Sequence, residues 1–199
     1  NTNIIFNDCN WEKMLTETIR SSFGNQGQIC LCGSRILLER TAYENFKNHF
    51  IPLAKKLTVG DPLDENSKQG ALVSKVHFEK IMNCIAVAKD EGGTVLCGGH
   101  AVQLTGRCAG GYFVEPTIIE GLDQNCKTNQ EEIFGPVVTI QPFDTEEEAI
   151  ALANATNYGL AASIWTQDIS KANRMAAKIE CGIVWVNCWL VRDLRTPFG

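Results

Sequence analysis

The sequence predicts an α/β fold in which a mainly parallel sheet is covered by helices on both faces. Along the 199 residues, short apolar runs alternate with helical patterns of about 12 to 17 residues. The apolar runs are continuous rather than alternating, which is typical of strands that are buried on both faces. Because no repeat, low-complexity segment or linker interrupts the pattern, we expect a single domain over residues 1–199.

In the first half of the chain, caps and apolar spacing locate the elements. Asn10 is a suitable N-cap for a helix, because apolar side chains follow it at helical spacing: Trp11, Met14, Leu15 and Ile19. Residues 36–38 form a short buried strand, and residues 42–57 carry one apolar helical face. Ser74 precedes another helical pattern, and residues 94–97 form a strand that ends at a pair of glycines.

The second half continues the alternation. Residues 100–111 are predicted to be a loop, followed by strands at 112–114 and 137–141. Thr145 and Glu148 have the spacing of a capping box, which predicts a helix through Ala155. A strand over 160–165, a helix over 169–179 and a strand over 183–187 complete the pattern.

Charge and hydropathy exclude several classes of partner. The chain carries 18 Lys+Arg against 23 Asp+Glu, a net charge of −5, whereas an electrostatic nucleic-acid binder needs a basic face. No apolar run approaches the roughly 18 residues that span a bilayer, and no signal peptide is visible. We therefore expect no nucleic-acid and no membrane partner.

The nine cysteines form neither a disulfide framework nor a metal site. Their number is odd, their spacing is irregular, no C-x-x-C pair occurs, and only three histidines accompany them. We predict reduced, mostly buried thiols in a cytoplasmic protein without a bound metal.

The segment FGNQGQIC at residues 23–30 differs from its surroundings. Its glycines allow a close backbone approach, and its amide side chains flank the thiol of Cys30 without a full charge. Backbone N–H groups at and after Cys30 could stabilise a thiolate and the alkoxide that forms when the thiolate adds to a carbonyl. A nucleophilic cysteine is one interpretation, and a buried segment with incidental thiols is the other.

This segment resembles the catalytic-cysteine signature of the NAD(P)-dependent aldehyde dehydrogenase superfamily. QEEIFGPV at residues 130–137 is similar to that family's EEIFGPV motif. NATNYGLA at 154–161, GIVWVN at 182–187 and PFG at 197–199 resemble further family blocks, in the same order. The resemblance covers the whole chain and implies that residues 1–199 are a catalytic domain. It places the NAD-binding domain, with its general-base glutamate, and an oligomerisation strand outside this chain, so the isolated chain is expected to be inactive.

The resemblance also assigns roles to individual residues. Cys30 becomes the nucleophile and its N–H one half of the oxyanion hole, while Cys32 is a bystander. Glu132 matches the glutamate that binds the nicotinamide ribose, and a carboxylate suits two adjacent hydroxyls because it can accept two hydrogen bonds. Phe134 matches an aromatic residue beside the nicotinamide ring. A solvated acid and a core aromatic residue are the alternatives, and NAD is the expected cofactor, with NADP as the alternative.

The substrate prediction depends on two arginines in the last segment of the chain. Arg192 and Arg195 depart from the apolar or aromatic residues usual there, and with CLCGSR at residues 30–35 they resemble the branch that oxidises 2-aminomuconic and 2-hydroxymuconic semialdehydes. Such substrates carry a carboxylate, which a guanidinium binds bidentately. We predict Arg192 as the carboxylate anchor and Arg195 as a second contact, the alternative being a surface ion pair with Asp193 or another acid.

Two other functions remain open on sequence grounds. A cysteine-dependent acyl hydrolase or transferase would need a base such as a histidine close to Cys30, and none is near in sequence. A non-catalytic module of the same fold would bind only partner subunits. The dehydrogenase hypothesis instead implies that the protein binds a small-molecule aldehyde. It also implies that the full-length enzyme is a homo-oligomer.

Overall fold

A seven-stranded sheet forms the centre of the computed structural model, which describes residues 1–197. In chain order the strands are β1 (Thr2–Ile5), β2 (Arg35–Glu39), β3 (Thr94–Cys97), β4 (Ala101–Val102), β5 (Phe113–Val114), β6 (Thr117–Glu120), β7 (Val137–Phe143), β8 (Ala161–Trp165) and β9 (Ile183–Val186). The sheet order is β3-β6-β7-β2-β1-β8-β9, and β4 pairs with β5 in a separate antiparallel ribbon. Every pair in the large sheet is parallel except β3 with β6. The predicted α/β class is confirmed.

Helices cover both faces of this sheet. They are α1 (Trp11–Phe23), α2 (Arg40–Lys55), α3 (Lys75–Asp90), α4 (Lys127–Gln130), α5 (Glu146–Asn154) and α6 (Ile169–Ala176). The two predicted N-caps are present: Asn10 accepts a hydrogen bond from Lys13 N at 3.0 Å, and Ser74 accepts one from His77 N at 3.2 Å. Each cap pairs a backbone N–H that the first helical turn would leave without an acceptor.

The capping box at α5 forms in a shifted version. Thr145 Oγ1 accepts from Glu148 N at 3.1 Å, as predicted. The Glu148 carboxylate, however, accepts from Asp144 N at 2.6 Å instead of from the N–H of the cap residue itself. The helix begins where the sequence predicts and ends one residue earlier, at Asn154.

Adjacent side chains of the central strands point to opposite faces, which explains their continuous apolar runs. Ile5 packs with Met14 of α1 and Phe50 of α2, whereas its neighbour Ile4 packs with Met175 of α6 on the other face. A strand that is buried on both sides needs apolar residues at every position. None of the helices described is both long and apolar enough to cross a bilayer.

Some elements were not predicted. The strands β1 and β6 and the one-turn helix α4 were missed, and residues 100–111, predicted to be a loop, contain β4 and a 3₁₀ turn over Gly106–Cys108. β1 (TNII) and β6 (TIIE) each contain only two apolar residues, too few to show a periodicity that separates a strand from another buried segment. The pairing of β1 with both β2 and β8 is what makes it a strand.

Candidate active site

Cys30 lies on a turn that leads into β2, after a tight 3₁₀ turn over Gly24–Gly27. Three consecutive residues of that tight turn, Asn25, Gln26 and Gly27, have left-handed φ angles of 49°, 57° and 68°. Glycine adopts this conformation without steric cost and Asn tolerates it, but for Gln it is unfavourable. Such local strain persists where the surrounding structure holds it, and it often occurs at functional sites.

Gly27 brings this turn into contact with residues 131–135. A Cβ atom at position 27 would lie 2.0 Å from the carbonyl oxygen of Gly135. Only a residue without a side chain fits there. The two motifs, about one hundred residues apart in sequence, are therefore packed directly against each other in the fold.

The amide side chains near Cys30 hold loops in place. Asn25 Nδ2 donates to Gln28 O at 3.1 Å, and Gln28 Oε1 accepts from Val73 N at 3.0 Å. Gln69 Nε2 in turn donates to Phe23 O at 2.9 Å. The structure thus gives these amides a structural role in tying the Cys30 segment to the loop before α3.

Three carbonyl groups of the Cys30 turn are held by distant side chains. Asn1 Nδ2 donates to the carbonyl oxygens of Cys30 (2.6 Å) and Cys32 (3.0 Å), and Trp189 Nε1 donates to Leu31 O (2.9 Å). Asn1 Oδ1 also accepts from Ala161 N at 3.0 Å, which connects the turn to β8. Within residues 1–197, the N–H of Cys30 itself donates to no acceptor.

Cys30 is the one exposed thiol among the nine cysteines, all of which lie within the described residues. Burial raises the pKa of the Cys32 thiol to about 11 and that of the Cys9 thiol to about 12. A buried, protonated thiol is a poor nucleophile, because the thiolate is the reactive form. Exposure therefore distinguishes Cys30 from its neighbour Cys32, only two residues away.

A cleft of about 290 Å³ contains Cys30, Glu132 and Phe134 in its lining. Glu132 is exposed, and Phe134 is half-buried with a left-handed φ of 61°. The structure thus brings together three of the five predicted site residues, whose roles stay predictions. Glu131 and Glu132 are the two carboxylates in the lining. Among residues 1–197, no cluster of His, Cys, Asp and Glu side chains is arranged to bind a metal ion.

The position of the cleft follows from the sheet order. Residues 30–32 precede β2, and residues 131–135 precede β7, its parallel neighbour. Asn1 precedes β1, and Leu160 precedes β8, so four adjacent parallel strands present their amino ends to the cleft. Open doubly wound sheets usually bind ligands at the carboxyl ends of their strands, so this arrangement differs from the common one.

The two predicted arginines lie elsewhere. Arg192 and Arg195 are exposed on the segment after β9 and are not among the residues that line the cleft. The Arg195 guanidinium binds Asp193, with Nε 3.0 Å from Oδ1. The binding roles of both arginines stay predictions, and of the PFG motif, Phe198 and Gly199 lie outside the described residues.

Sequence reasoning missed four residues at or beside the cleft. His77 Nε2 lies 2.7 Å from Phe134 O, and Lys80 Nζ donates to Glu132 O at 2.8 Å. The Asn1 side chain connects the Cys30 turn to β8 by its hydrogen bonds to Cys30 O and Ala161 N. Arg35 lines the cleft and is buried, which lowers its pKa to about 10, and its Nη2 donates to Leu152 O at 2.6 Å. All these contacts join residues distant in sequence, so no local pattern signals them.

Comparison with known proteins identifies the family of this chain. The profile of the aldehyde dehydrogenase family matches residues 1–199. The 2-aminomuconic semialdehyde dehydrogenase of Mus musculus is 46% identical over 201 residues, covering 100% of this chain and 41% of that protein. The 2-hydroxymuconic semialdehyde dehydrogenase of Pseudomonas sp. (strain CF600) is 45% identical over 199 residues, with the same coverage of 100% and 41%.

Solved structures give the same result. A putative aldehyde dehydrogenase from Burkholderia cenocepacia superimposes with a TM-score of 0.96 at 42% identity, covering 100% of this chain and 40% of that one. Betaine aldehyde dehydrogenase from Staphylococcus aureus, in complex with NAD+, superimposes with a TM-score of 0.94 at 38% identity, covering 100% and 39%. The chain belongs to the aldehyde dehydrogenase family, and it spans about two fifths of the length of these relatives.

Proposed function

We propose that the protein carrying this chain is an NAD-dependent aldehyde dehydrogenase that oxidises an aldehyde to a carboxylic acid through Cys30. One observation carries the proposal: the single exposed thiol lies in a cleft shared with Glu132 and Phe134. Family membership supports the reaction class. In this proposal, residues 1–199 form the catalytic domain of a longer, homo-oligomeric enzyme.

The first step is addition of the Cys30 thiolate to the aldehyde carbon. A C–S bond forms, and the carbonyl electron pair moves onto oxygen to give a thiohemiacetal alkoxide. The N–H of Cys30, which has no acceptor within residues 1–197, is available to stabilise this charge. Asn1 and Trp189 hold the carbonyls of the turn, which keeps that N–H oriented without reorganisation during the reaction.

The cleft suits the nicotinamide and ribose portion of a dinucleotide. Its volume is at the lower end of small-ligand sites. Glu132 supplies a carboxylate for the ribose hydroxyls, and Phe134 supplies an aromatic ring beside them. NAD, when bound, is the hydride acceptor for the Cys30 adduct, which leaves a thioester. Water then adds to the thioester, the C–S bond breaks, and the acid and the thiol are released; the base for this step is expected outside this chain.

For the substrate, we propose a semialdehyde that carries a carboxylate, of the muconic type. Relatives 43–46% identical to this chain are named for 2-aminomuconic and 2-hydroxymuconic semialdehydes. The Trp189 bond to Leu31 brings the segment that carries Arg192 next to the Cys30 turn. A guanidinium there can bind the carboxylate at the far end of the substrate.

Alkylation by iodoacetamide at neutral pH tests the nucleophile. We expect Cys30 to be modified faster than the other eight thiols, because it is exposed and they are buried or half-buried. Peptide mapping by mass spectrometry gives the rate at each site, and Cys30→Ser is the control for the fast phase. Slow, uniform labelling would instead favour the non-catalytic module.

The hydrolase or transferase alternative has less support. It needs a histidine or a similar base near Cys30, and none of the three histidines, all within the described residues, lines the cleft. The ring nitrogen of His77 is engaged by Phe134 O. No histidine is therefore placed in the cleft to act as the base that this chemistry requires.

A further inference from the structure

Arg20, in the last turn of α1, lies over the indole ring of Trp189. Its Cζ atom is 5.3 Å from the centroid of that ring, which is within the range of a cation–π interaction. Trp189 is only 3% exposed, and its Nε1 donates to Leu31 O at 2.9 Å. One indole ring therefore connects the Arg20 guanidinium to the residue that follows Cys30.

The ring that carries Arg20 is held at two of its edges. One edge bonds to Leu31, as above. At the other, a Cβ atom on Gly24 would lie 3.9 Å from Cη2 of Trp189 and 3.9 Å from Cδ1 of Ile29, which are ordinary contact distances. Because Trp189 is fixed against the segment on both sides of Cys30, the guanidinium over it has a defined place relative to that turn.

The Arg20 guanidinium keeps donors for a ligand. Its side chain is 55% exposed, and within residues 1–197 only Nη1 donates to a protein acceptor, the Glu17 carboxylate at 3.3 and 3.5 Å. An exposed i, i+3 pair of this length contributes little to stability. Nε and Nη2 are available to a carboxylate, which a guanidinium binds through two parallel N–H groups.

This cation lies apart from the cleft assigned to the cofactor. None of Arg20, Leu31 and Trp189 lines that cleft, whereas Cys30 does. In the proposed function the cofactor fills the cleft beside Cys30, so the far end of a bound aldehyde has to leave the thiol in another direction. The Trp189 ring and the guanidinium over it lie in one such direction.

We propose that Arg20 is a specificity-determining residue that binds the distal carboxylate of a semialdehyde acid. This inference rests on the proposed function, because it takes Cys30 as the nucleophile and a carboxylate-bearing aldehyde as the substrate. Trp189 already orders the Arg20 side chain, so less side-chain freedom is lost when the carboxylate binds. Arg20 acts alongside Arg192, the carboxylate contact proposed above, but comes from a different element of the fold.

The experiment compares adipic semialdehyde with hexanal, which has the same chain length but no carboxylate, in the full-length protein. We expect Arg20→Met, which keeps an apolar stem on Trp189 but removes the charge, to raise KM for adipic semialdehyde roughly 5- to 20-fold, as for the loss of a partly screened charged hydrogen bond. KM for hexanal should change less than about twofold. Arg20→Lys keeps the charge without the paired donors and should lie between wild type and Arg20→Met.

Glu17→Gln is the matched control for a purely structural role. It removes the ion-pair partner of Arg20 and leaves the guanidinium in place, so KM for adipic semialdehyde should stay unchanged or fall. A cation in the last turn of a helix also stabilises that helix through its dipole. If Arg20 acts only in this way, Arg20→Met lowers the midpoint of thermal unfolding and leaves the ratio of the two KM values unchanged, which would overturn the inference. Arg20→Lys decides the matter if Arg20→Met does not fold.

A further arm, Arg192→Ala, separates this inference from the function on which it rests. A wild-type enzyme that does not prefer adipic semialdehyde to hexanal would show that the substrate class is wrong, and the role of Arg20 would fall with it. If Arg192→Ala abolishes the preference while Arg20→Met does not, the substrate class stands and Arg20 is not part of the site. Loss of the preference in Arg20→Met, with the alkylation rate of Cys30 unchanged, is the result that supports the inference.

Discussion

Gly27 determines how closely the Cys30 turn approaches residues 131–135. Its φ of 68° is left-handed, and the space where a side chain would begin is occupied by the carbonyl of Gly135. The left-handed φ and the contact with Gly135 both disfavour the Cβ atom that any other residue would place at position 27. The absence of a side chain at position 27 therefore allows Cys30 to share one cleft with Glu132 and Phe134.

Replacing Gly27 with Ala should destabilise the fold by about 3 kcal/mol or more, as expected for backbone strain combined with a steric clash. Gly106 provides the matched control: it has a similar φ of 64°, but a Cβ there would meet nothing within 4 Å. Gly106→Ala should cost only about 1 kcal/mol, the cost of the conformation alone. Urea unfolding measures both, and equal losses would show that the approach to Gly135 is not constraining.

At the scale of the secondary-structure elements, α6 shows how a cap couples helix stability to pH. Asp168 accepts hydrogen bonds from Ser170 N at 2.8 Å and Lys171 N at 3.0 Å. The bond from the Lys171 N–H, and then that from Ser170, holds the pKa of the Asp168 carboxyl below its usual value of 3.8. A lowered pKa means that the carboxylate contributes stability above the pKa of the unfolded chain, and that this contribution disappears as pH falls through the lower, folded value.

Asp168→Asn keeps a side-chain oxygen at the cap but removes its titration. We expect the wild-type protein to lose stability relative to this variant as pH falls from about 5 to about 2. Thermal unfolding over that range measures the difference. Asp90→Asn, which removes an exposed carboxylate that caps no helix, should not reproduce the effect. Parallel curves for wild type and Asp168→Asn would contradict the assignment.

At the scale of the whole molecule, the segment after β9 folds back toward the Cys30 turn. Trp185 Nε1 donates to Val191 O at 2.8 Å, and Trp189 reaches Leu31. The bond from Trp185 ties the backbone beside Arg192 to β9. The proposal that Arg192 binds the substrate carboxylate rests on this return of the segment to the Cys30 turn.

In the full-length protein, Arg192→Ala should raise KM for a semialdehyde acid roughly 10- to 100-fold, as for the loss of a charged hydrogen bond, and change KM for a neutral aldehyde little. Arg195→Ala is the matched comparison. It should have a smaller effect, because Arg195 lies three residues further along the chain from the Trp189 contact with Leu31. Steady-state kinetics with both substrates test this, and equal losses on the two substrates would remove Arg192 from the proposed substrate site.

Local signals predicted much of the fold but little of the site's assembly. Asn10, Ser74 and Thr145 cap helices where the sequence places them, because a cap bonds to N–H groups two or three residues away. The strands β1 and β6 were missed because only their neighbours in the sheet define them. The contact of His77 with Phe134, which joins residues 57 positions apart, had no signal at all.

By itself, the amino-acid sequence determined the α/β class, the family resemblance and the choice of Cys30, since caps, apolar runs and motifs are written in neighbouring residues. Only the tertiary structure decided that Cys30, Glu132 and Phe134 line one cleft, at the amino ends of four parallel strands. It alone decided that Cys30 is exposed while Cys32 is buried. The reason is physical: strand order and close backbone approach bring distant residues together, and neither property is encoded in a local pattern.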